Sequence, residues 1–238
     1  MTYRIAIPTY KRSNTFKEKT LAYLSKTDID FNNIDLFLSD PSERDLYEKT
    51  LTTEKHKKIN IIDGVLGVGK QRNFIVDYYP VGQNVVGIDD DISALNMKVD
   101  DKTRLPLMNL NQFLEEAFQI TKEANLNIWG IYPVNNPYFM KHKISFDFKY
   151  IAAGFYGWIN NHDKKAYCSD NGVVRFNYVS MNTIGYQGQG GMQVTRTKQR
   201  VKKSAEFLAK KYPQLCTLFV SKQGQYEVRL RDKRKVKI

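Results

Sequence analysis

The stretch Val85-Val86-Gly87-Ile88-Asp89-Asp90-Asp91 decides how the rest of the chain is read. Its first four residues are apolar or small, and an uninterrupted run of that kind reads as a strand covered on both faces. Three carboxylates follow at its carboxyl end. Like charges crowded there repel one another and lose hydration if buried, so a divalent cation between them is the simplest functional reading. A solvated acidic turn is the structural alternative.

Upstream, short apolar runs alternate with helix signals. Residues 3–8 read as a strand stopped by Pro8, with Thr9-Tyr10-Lys11-Arg12 as a polar loop. Thr15-Phe16-Lys17-Glu18 has capping-box spacing and predicts a helix to about Ser25. Residues 34–38 are a second strand, and Asp40-Pro41-Ser42-Glu43 combines an acidic N-cap with proline at the first helical position. Residues 59–62 make a third strand. Gly64-Val65-Leu66-Gly67-Val68-Gly69-Lys70 is then a glycine-rich loop into a helix near 71–79. This alternation predicts right-handed βαβ crossovers and a mainly parallel sheet, an α/β fold. Ligands of such sheets collect at the carboxyl ends of the strands, where the Pro8–Arg12 loop, the glycine loop and Asp89–Asp91 all fall.

Downstream, residues 92–108 read as irregular. A helix over 109–125 presents Leu110, Phe113, Leu114, Ala117 and Ile120 on one face. Residues 129–134 are a further strand, 138–158 are rich in aromatics, 173–179 are a strand, and 185–191 form a glycine-rich loop. A last helix, with Val201, Ala205, Leu208 and Tyr212 in one stripe, ends at Pro213. A hairpin pairs 216–221 with 226–230 and turns Glu227, Arg229 and Arg231 outward. With no repeat and no linker, the expectation is a single domain over 1–238. Its donor half is 1–108, and its acceptor half, 109–238, carries the basic C-terminal helix and hairpin.

At 238 residues, 42% hydrophobic and 13% aromatic, the chain can bury a sizeable core. No stretch has the length of a membrane span and the N-terminus lacks a signal-peptide pattern, so a cytoplasmic protein of a bacterium or phage-infected cell is expected. Cys168 and Cys216 do not make a disulfide framework or a zinc site. The net charge of +12 is local: residues 196–238 hold 14 Lys and Arg against three acids, a net +11. Such a concentration of charge attracts polyanions, nucleic acid first. A merely solvated tail is the alternative.

Gly64 to Lys70 also fits the frame of a nucleoside-triphosphatase loop, but Gln71 stands where that loop needs a hydroxyl for magnesium. Taken together, the motifs point elsewhere. Ile5-Ala6-Ile7-Pro8-Thr9-Tyr10-Lys11-Arg12 resembles the opening strand of family 2 glycosyltransferases, with Lys11 in place of the usual Asn. Arg72-Asn73 resembles the end of their glycine loop, and Asp89-Asp90-Asp91 their Asp-x-Asp motif. The resemblance implies a GT-A type domain using a nucleotide-sugar donor and Mn²⁺ or Mg²⁺. It implies Asp91 and Asp89 at the metal, Asp90 on the donor side, Lys70 and Arg72 at the pyrophosphate, and Pro8, Thr9, Tyr10 and Arg12 facing the nucleoside. Gly154-Phe155-Tyr156-Gly157-Trp158 is similar to their acceptor segment. The family's acid pair is missing after it, which leaves Asp163 as first candidate for general base, with Asp170 and Asp147 behind.

The second half loosely resembles phage and TET-associated transferases that glycosylate hydroxymethylated pyrimidines in DNA. That implies a DNA acceptor, contacted by Trp158, Lys202, Lys203, Arg229 and Arg231. Two other readings stay open: transfer to a polysaccharide or protein, and a non-catalytic nucleic-acid-binding module on a transferase-like fold.

Overall fold

The structure is a computed structural model that describes residues 2–162, 168–183, 197–222 and 224–230, without the side chains of 168–171 and 230. It divides into two compact units, Met1–Gly191 and Met192–Ile238.

The first unit opens with β1 (Tyr3–Thr9), α1 (Ser13–Phe16), a π-helical turn Lys17–Leu21 and α2 (Ala22–Leu24). β2 (Ile34–Leu38), α3 (Arg44–Glu48), β3 (Asn60–Asp63), α4 (Val68–Tyr78) and β4 (Asn84–Ile88) follow. These four strands pair in parallel in the order β3-β2-β1-β4, as the alternation of strands and helices requires. β4 is buried along its whole length. Val86 and Ile88 face a core shared with Ile5, Ile7 and Leu36, while Val85 faces the opposite core with Ile75, Val76 and Tyr79 of the α4 segment. Coverage on both faces is why the run before the carboxylates is unbroken in its apolar character.

The remainder holds β5 (Ile92–Lys98), β6 (Arg104–Pro106), α5 (Leu110–Glu123), β7 (Ile128–Tyr132), β8 (Ile144–Tyr150), β9 (Phe155–Ile159) and β10 (Cys168–Thr183). The sheet continues β4-β9-β7-β10-β5-β6, with β8 beside β10. β9 runs antiparallel to β4 and β7. α5 lays Phe113 and Phe118 against Trp129, whose indole also meets Phe155 and Phe176. Gly157 is required beside it, because a Cβ there would collide with the indole.

The sheet has to curl. β4 and β5 lie four places apart in the sheet order, roughly 19 Å at ordinary strand spacing. The four steps from Ile88 to Ile92 reach only about 14 Å fully extended. β10 resolves this with an irregularity between Phe176 and Ser180: its Val174–Phe176 stretch pairs with β7, and its Val179–Thr183 stretch with β5. Bulges bend strands in this way, and here the bend returns Thr183 to the carboxyl end of β4.

Three expectations change. Residues 92–108 contain β5 and β6 rather than irregular chain, because Ile92 and Leu95 are buried and the buried cation Lys98 is satisfied by Asp101 at 2.5 Å and the Pro137 carbonyl at 2.7 Å. The aromatic stretch contains β8 and β9. The first helix starts at Ser13, two residues before the expected capping box, with Arg12 at the cap position and no side-chain cap.

In the second unit, α6 (Lys198–Lys211) is capped by Thr197, whose Oγ1 accepts the Arg200 N–H at 3.2 Å. It packs on the hairpin of β11 (Cys216–Val220) and β12 (Tyr226–Leu230), close to the register expected from the sequence. Lys198, Arg200, Lys202, Lys203, Lys210, Lys211, Lys222 and Arg229 are all exposed, so among the described residues the charge is carried on α6 and the hairpin. Among the described residues, no helix is long and apolar enough to cross a membrane.

Candidate active site

The carboxyl ends of β1 and β4 meet through side chains. Thr9 Oγ1 donates to Asp90 Oδ2 at 2.6 Å. With its only proton committed there, Thr9 accepts from the Tyr47 hydroxyl at 2.7 Å, and that hydroxyl accepts the Arg12 N–H at 3.2 Å. The result is a directed chain, Arg12 N–H to Tyr47 to Thr9 to Asp90, ending on a carboxylate. Burial pushes the Tyr47 phenol up to about 12, so it serves as a neutral hydroxyl.

Arg12 closes the loop from the other side. Its Nη1 lies 3.1 Å from Asp90 Oδ1 and 3.3 Å from Asp91 Oδ2. Lys11 before it has φ of 52°, a left-handed conformation that Asn tolerates better than Lys. The Lys11 N–H is fixed by Glu43 Oε2 at 2.9 Å.

Asp89 faces α4. Arg72 donates from Nη2 to Asp89 Oδ1 at 2.8 Å and from Nη1 to the Tyr156 hydroxyl at 3.0 Å. Tyr156 lies opposite Gly87 in the β4–β9 ladder, and a Cβ at Gly87 would come within 2.7 Å of its ring. The glycine of the apolar run thus makes room for the ring that positions Arg72. Asp91 is held by Thr183, whose hydroxyl donates at 2.8 Å. The turn itself is pinned by Thr20 in the π-helical segment, which donates to the Asp89 carbonyl at 2.8 Å and accepts from the Ile92 N–H at 3.0 Å.

The three carboxylates therefore diverge. Asp90 is 5% exposed, and burial pushes its pKa up to about 6 against the opposing bonds from Thr9 and Arg12. Burial also raises Asp91, against the Thr183 hydrogen bond, and the charge of Asp89 adds to the rise. The Asp89 side chain is 34% exposed. Among the described residues no three His, Cys, Asp or Glu gather as a metal cluster. The donor set still fits a hard cation that takes one or two carboxylates and completes its shell with phosphate oxygens and water. Asp89, the most exposed of the three, suits that role; Asp91, 6% exposed and bonded to Thr183 and Arg12, is the expected second ligand, and Asp90 ties β1 to β4.

The glycine loop is built by Gln71. Its amide oxygen accepts the Val65 N–H at 2.7 Å and its amide nitrogen donates to the Phe37 carbonyl at 3.0 Å. Gly64 is needed because a Cβ would strike that amide, and Gly67 because its φ is 108°. The residue that breaks the triphosphatase frame is thus the keystone of the loop. Lys70 lies exposed in the first turn of α4, and Pro8 and Tyr10 are half-buried at the end of β1.

Trp158 is a correction. It is 4% exposed, stacked on Tyr156 at 5.4 Å, with its indole N–H donating to Asn160 at 3.2 Å; it belongs to the core, not to an acceptor surface. The exposed rings of that region are Tyr138, Phe139 and Phe146. Asp147 is exposed on β8. Asp163, Arg231 and the 185–191 loop lie outside the described residues, as does the side chain of Asp170 in β10. Lys202, Lys203 and Arg229 lie on the second unit, where Lys202 Nζ sits 5.0 Å over the Tyr226 ring and Arg229 lies 3.2 Å over Phe219. Sequence reading missed Tyr47, Thr183 and the role of Thr20. Thr20 had one visible signal, a hydroxyl on the apolar face of its helix.

A parallel β3-β2-β1-β4 block continued by a mixed sheet, in which β9 runs antiparallel to β4 and β7 while β10 runs parallel to β7, with an acidic turn after β4, is the GT-A type of glycosyltransferase fold. Among solved structures the chain is similar to residues 1–349 of S. aureus TarS in complex with UDP-GlcNAc, at 16% identity over 89% of this chain and 66% of that one, TM-score 0.52. It is likewise similar to the mannosyltransferase PcManGT from Pyrobaculum calidifontis in complex with GDP-Man and Mn²⁺, at 12% identity over 90% and 64%, TM-score 0.50. At these identities the likeness is one of fold, and the chain spans just under two thirds of the length of either of these solved chains. No family model and no curated protein matches the sequence.

Proposed function

We propose that the protein is a glycosyltransferase that moves a sugar from a nucleotide donor to a hydroxymethylated pyrimidine in DNA. The observation that carries the donor side is the convergence of Arg72, Asp89 and Asp91 at the end of β4 in a GT-A fold, with Arg72 2.8 Å from Asp89. Arg72 and Lys70 address the diphosphate, and Pro8, Thr9 and Tyr10 border the nucleoside. Asp89 and Asp91 would hold Mn²⁺ or Mg²⁺, which supplies charge neutralisation for the leaving diphosphate. In the reaction the acceptor oxygen bonds to the sugar's anomeric carbon as the bond from that carbon to the diphosphate breaks. The acceptor proton passes to a single carboxylate, for which Asp163 is the first candidate with Asp170 and Asp147 as the alternatives behind it.

The DNA acceptor rests on charge. Residues 196–238 carry a net +11, and every described cation of the second unit is exposed. A duplex acceptor has to be reached through the major groove or by extruding the base. A cytoplasmic location accords with such an acceptor. The test is incubation of nucleotide sugars and Mn²⁺ with hydroxymethylated and unmodified DNA, read by mass. A hexose or pentose increment on the hydroxymethylated strand alone supports the reading. Transfer only to a polysaccharide or protein would refute the acceptor.

A further inference from the structure

Arg12 stands in the middle of the carboxylate cluster with a hydrogen bond unmade. Its Nη1 spans Asp90 and Asp91 at 3.1 and 3.3 Å, yet its Nε is buried and finds no acceptor among the described residues. Its main chain is held separately, by the Tyr47 hydroxyl at 3.2 Å, so the side chain can leave without moving the loop. Its two anchors are both buried and each accepts a threonine hydroxyl, Asp90 from Thr9 and Asp91 from Thr183, but Arg12 Nη1 lies nearer Asp90, at 3.1 Å, than Asp91, at 3.3 Å, so the contact to Asp91 is the longer one to give up. A guanidinium and a divalent cation compete for the same carboxylate oxygens, and their like charges oppose joint occupancy.

We propose that Arg12 is the resident counter-cation of this site. In the donor-free protein it occupies Asp91 and keeps a divalent cation from loading alone. A nucleoside diphosphate offers its guanidinium the acceptor it lacks, draws it off Asp91 and so lets cation and donor load together. This rests on the donor-site reading above, but concerns the order and coupling of binding rather than the reaction.

The test is calorimetric titration of MnCl₂ into the nucleotide-free protein, as wild type, Arg12→Gln and Arg12→Lys, and then again with UDP or GDP present. Arg12→Gln is expected to bind Mn²⁺ at least tenfold more tightly than wild type without nucleotide, with Arg12→Lys between them. Nucleotide is expected to tighten Mn²⁺ binding to wild type by a larger factor than to Arg12→Gln. Arg12→Lys keeps the charge on a single ammonium that cannot span both carboxylates, so its intermediate position tests the inference even if Arg12→Gln does not fold. Equal or weaker Mn²⁺ binding in the folded variants would overturn the role of Arg12 while leaving the metal site intact. Absence of Mn²⁺ binding in every protein, with and without nucleotide, would overturn the metal reading and the inference together.

Discussion

Asp90 illustrates how far a single residue's role depends on what its strand end touches. Its pKa rises from 3.8 to about 6, so the folded state takes up a proton more readily than the unfolded chain. The stability from this group is fully present below about pH 4 and is lost as pH rises through 6, a change of about 3 kcal/mol at 1.36 kcal/mol per unit. Denaturant unfolding of the ligand-free protein from pH 4 to 7 should show that decline relative to Asp90→Asn; parallel profiles for the two would contradict it. Lys11 offers a second test, because its φ of 52° is strained for a lysine. Asn, which the resembling motif carries there, should stabilise the fold by about 0.5–1 kcal/mol, read as an increased denaturation midpoint. Both residues stood in motifs visible in the sequence. What the motif could not convey is that Asp90 turns inward to Thr9 and Arg12 while Asp89 remains accessible, since consecutive aspartates look alike until their partners are placed.

At the scale of elements, two polar side chains hold the site's backbone. Thr20 joins the π-helical turn to both ends of the acidic turn, and Thr20→Val should lose two buried hydrogen bonds, costing about 2–3 kcal/mol in chemical unfolding. Gln71 does the same for the glycine loop. Gln71→Ser, which completes the triphosphatase frame, should destabilise by about 2 kcal/mol and confer no ATP-dependent rise in melting temperature. Such a rise would revive the rejected reading. The strands of the parallel block, β1 to β4, were legible because burial on both faces writes a continuous apolar run, and α5 because its apolar face repeats at helical spacing. β5, β6 and β8 were not. Their faces mix buried and exposed positions, as in Met97 and Leu105, which pair with each other yet stay exposed, so neither alternation nor a solid run appears. Trp158 misled for a related reason, because an aromatic beside glycines reads equally as a binding surface or as a strand packed where a Cβ will not fit.

For the whole molecule, charge is divided between a nearly neutral first unit and a strongly basic second one, a division already visible in the order of the residues. DNA affinity should fall steeply with salt, and replacing Lys202, Lys203 and Arg229 with Ala should lower the slope of log K against log salt by about 0.9 for each phosphate no longer neutralised. Unchanged slope in a folded variant would remove the second unit from the acceptor platform. The chain after β5 was less legible because β8, β9 and β10 find their partners among strands distant in sequence, for which no short motif exists. The central claim is a donor site at the end of β4, and the most direct measurement is thermal stabilisation by a panel of nucleotide sugars with Mn²⁺, in wild type and in Arg72→Ala and Asp89→Ala. At a hundredfold excess over its dissociation constant, the right donor should add about 2.7 kcal/mol to the wild type and much less to either variant. No stabilisation by any nucleotide sugar, or equal stabilisation of all three proteins, would contradict the account.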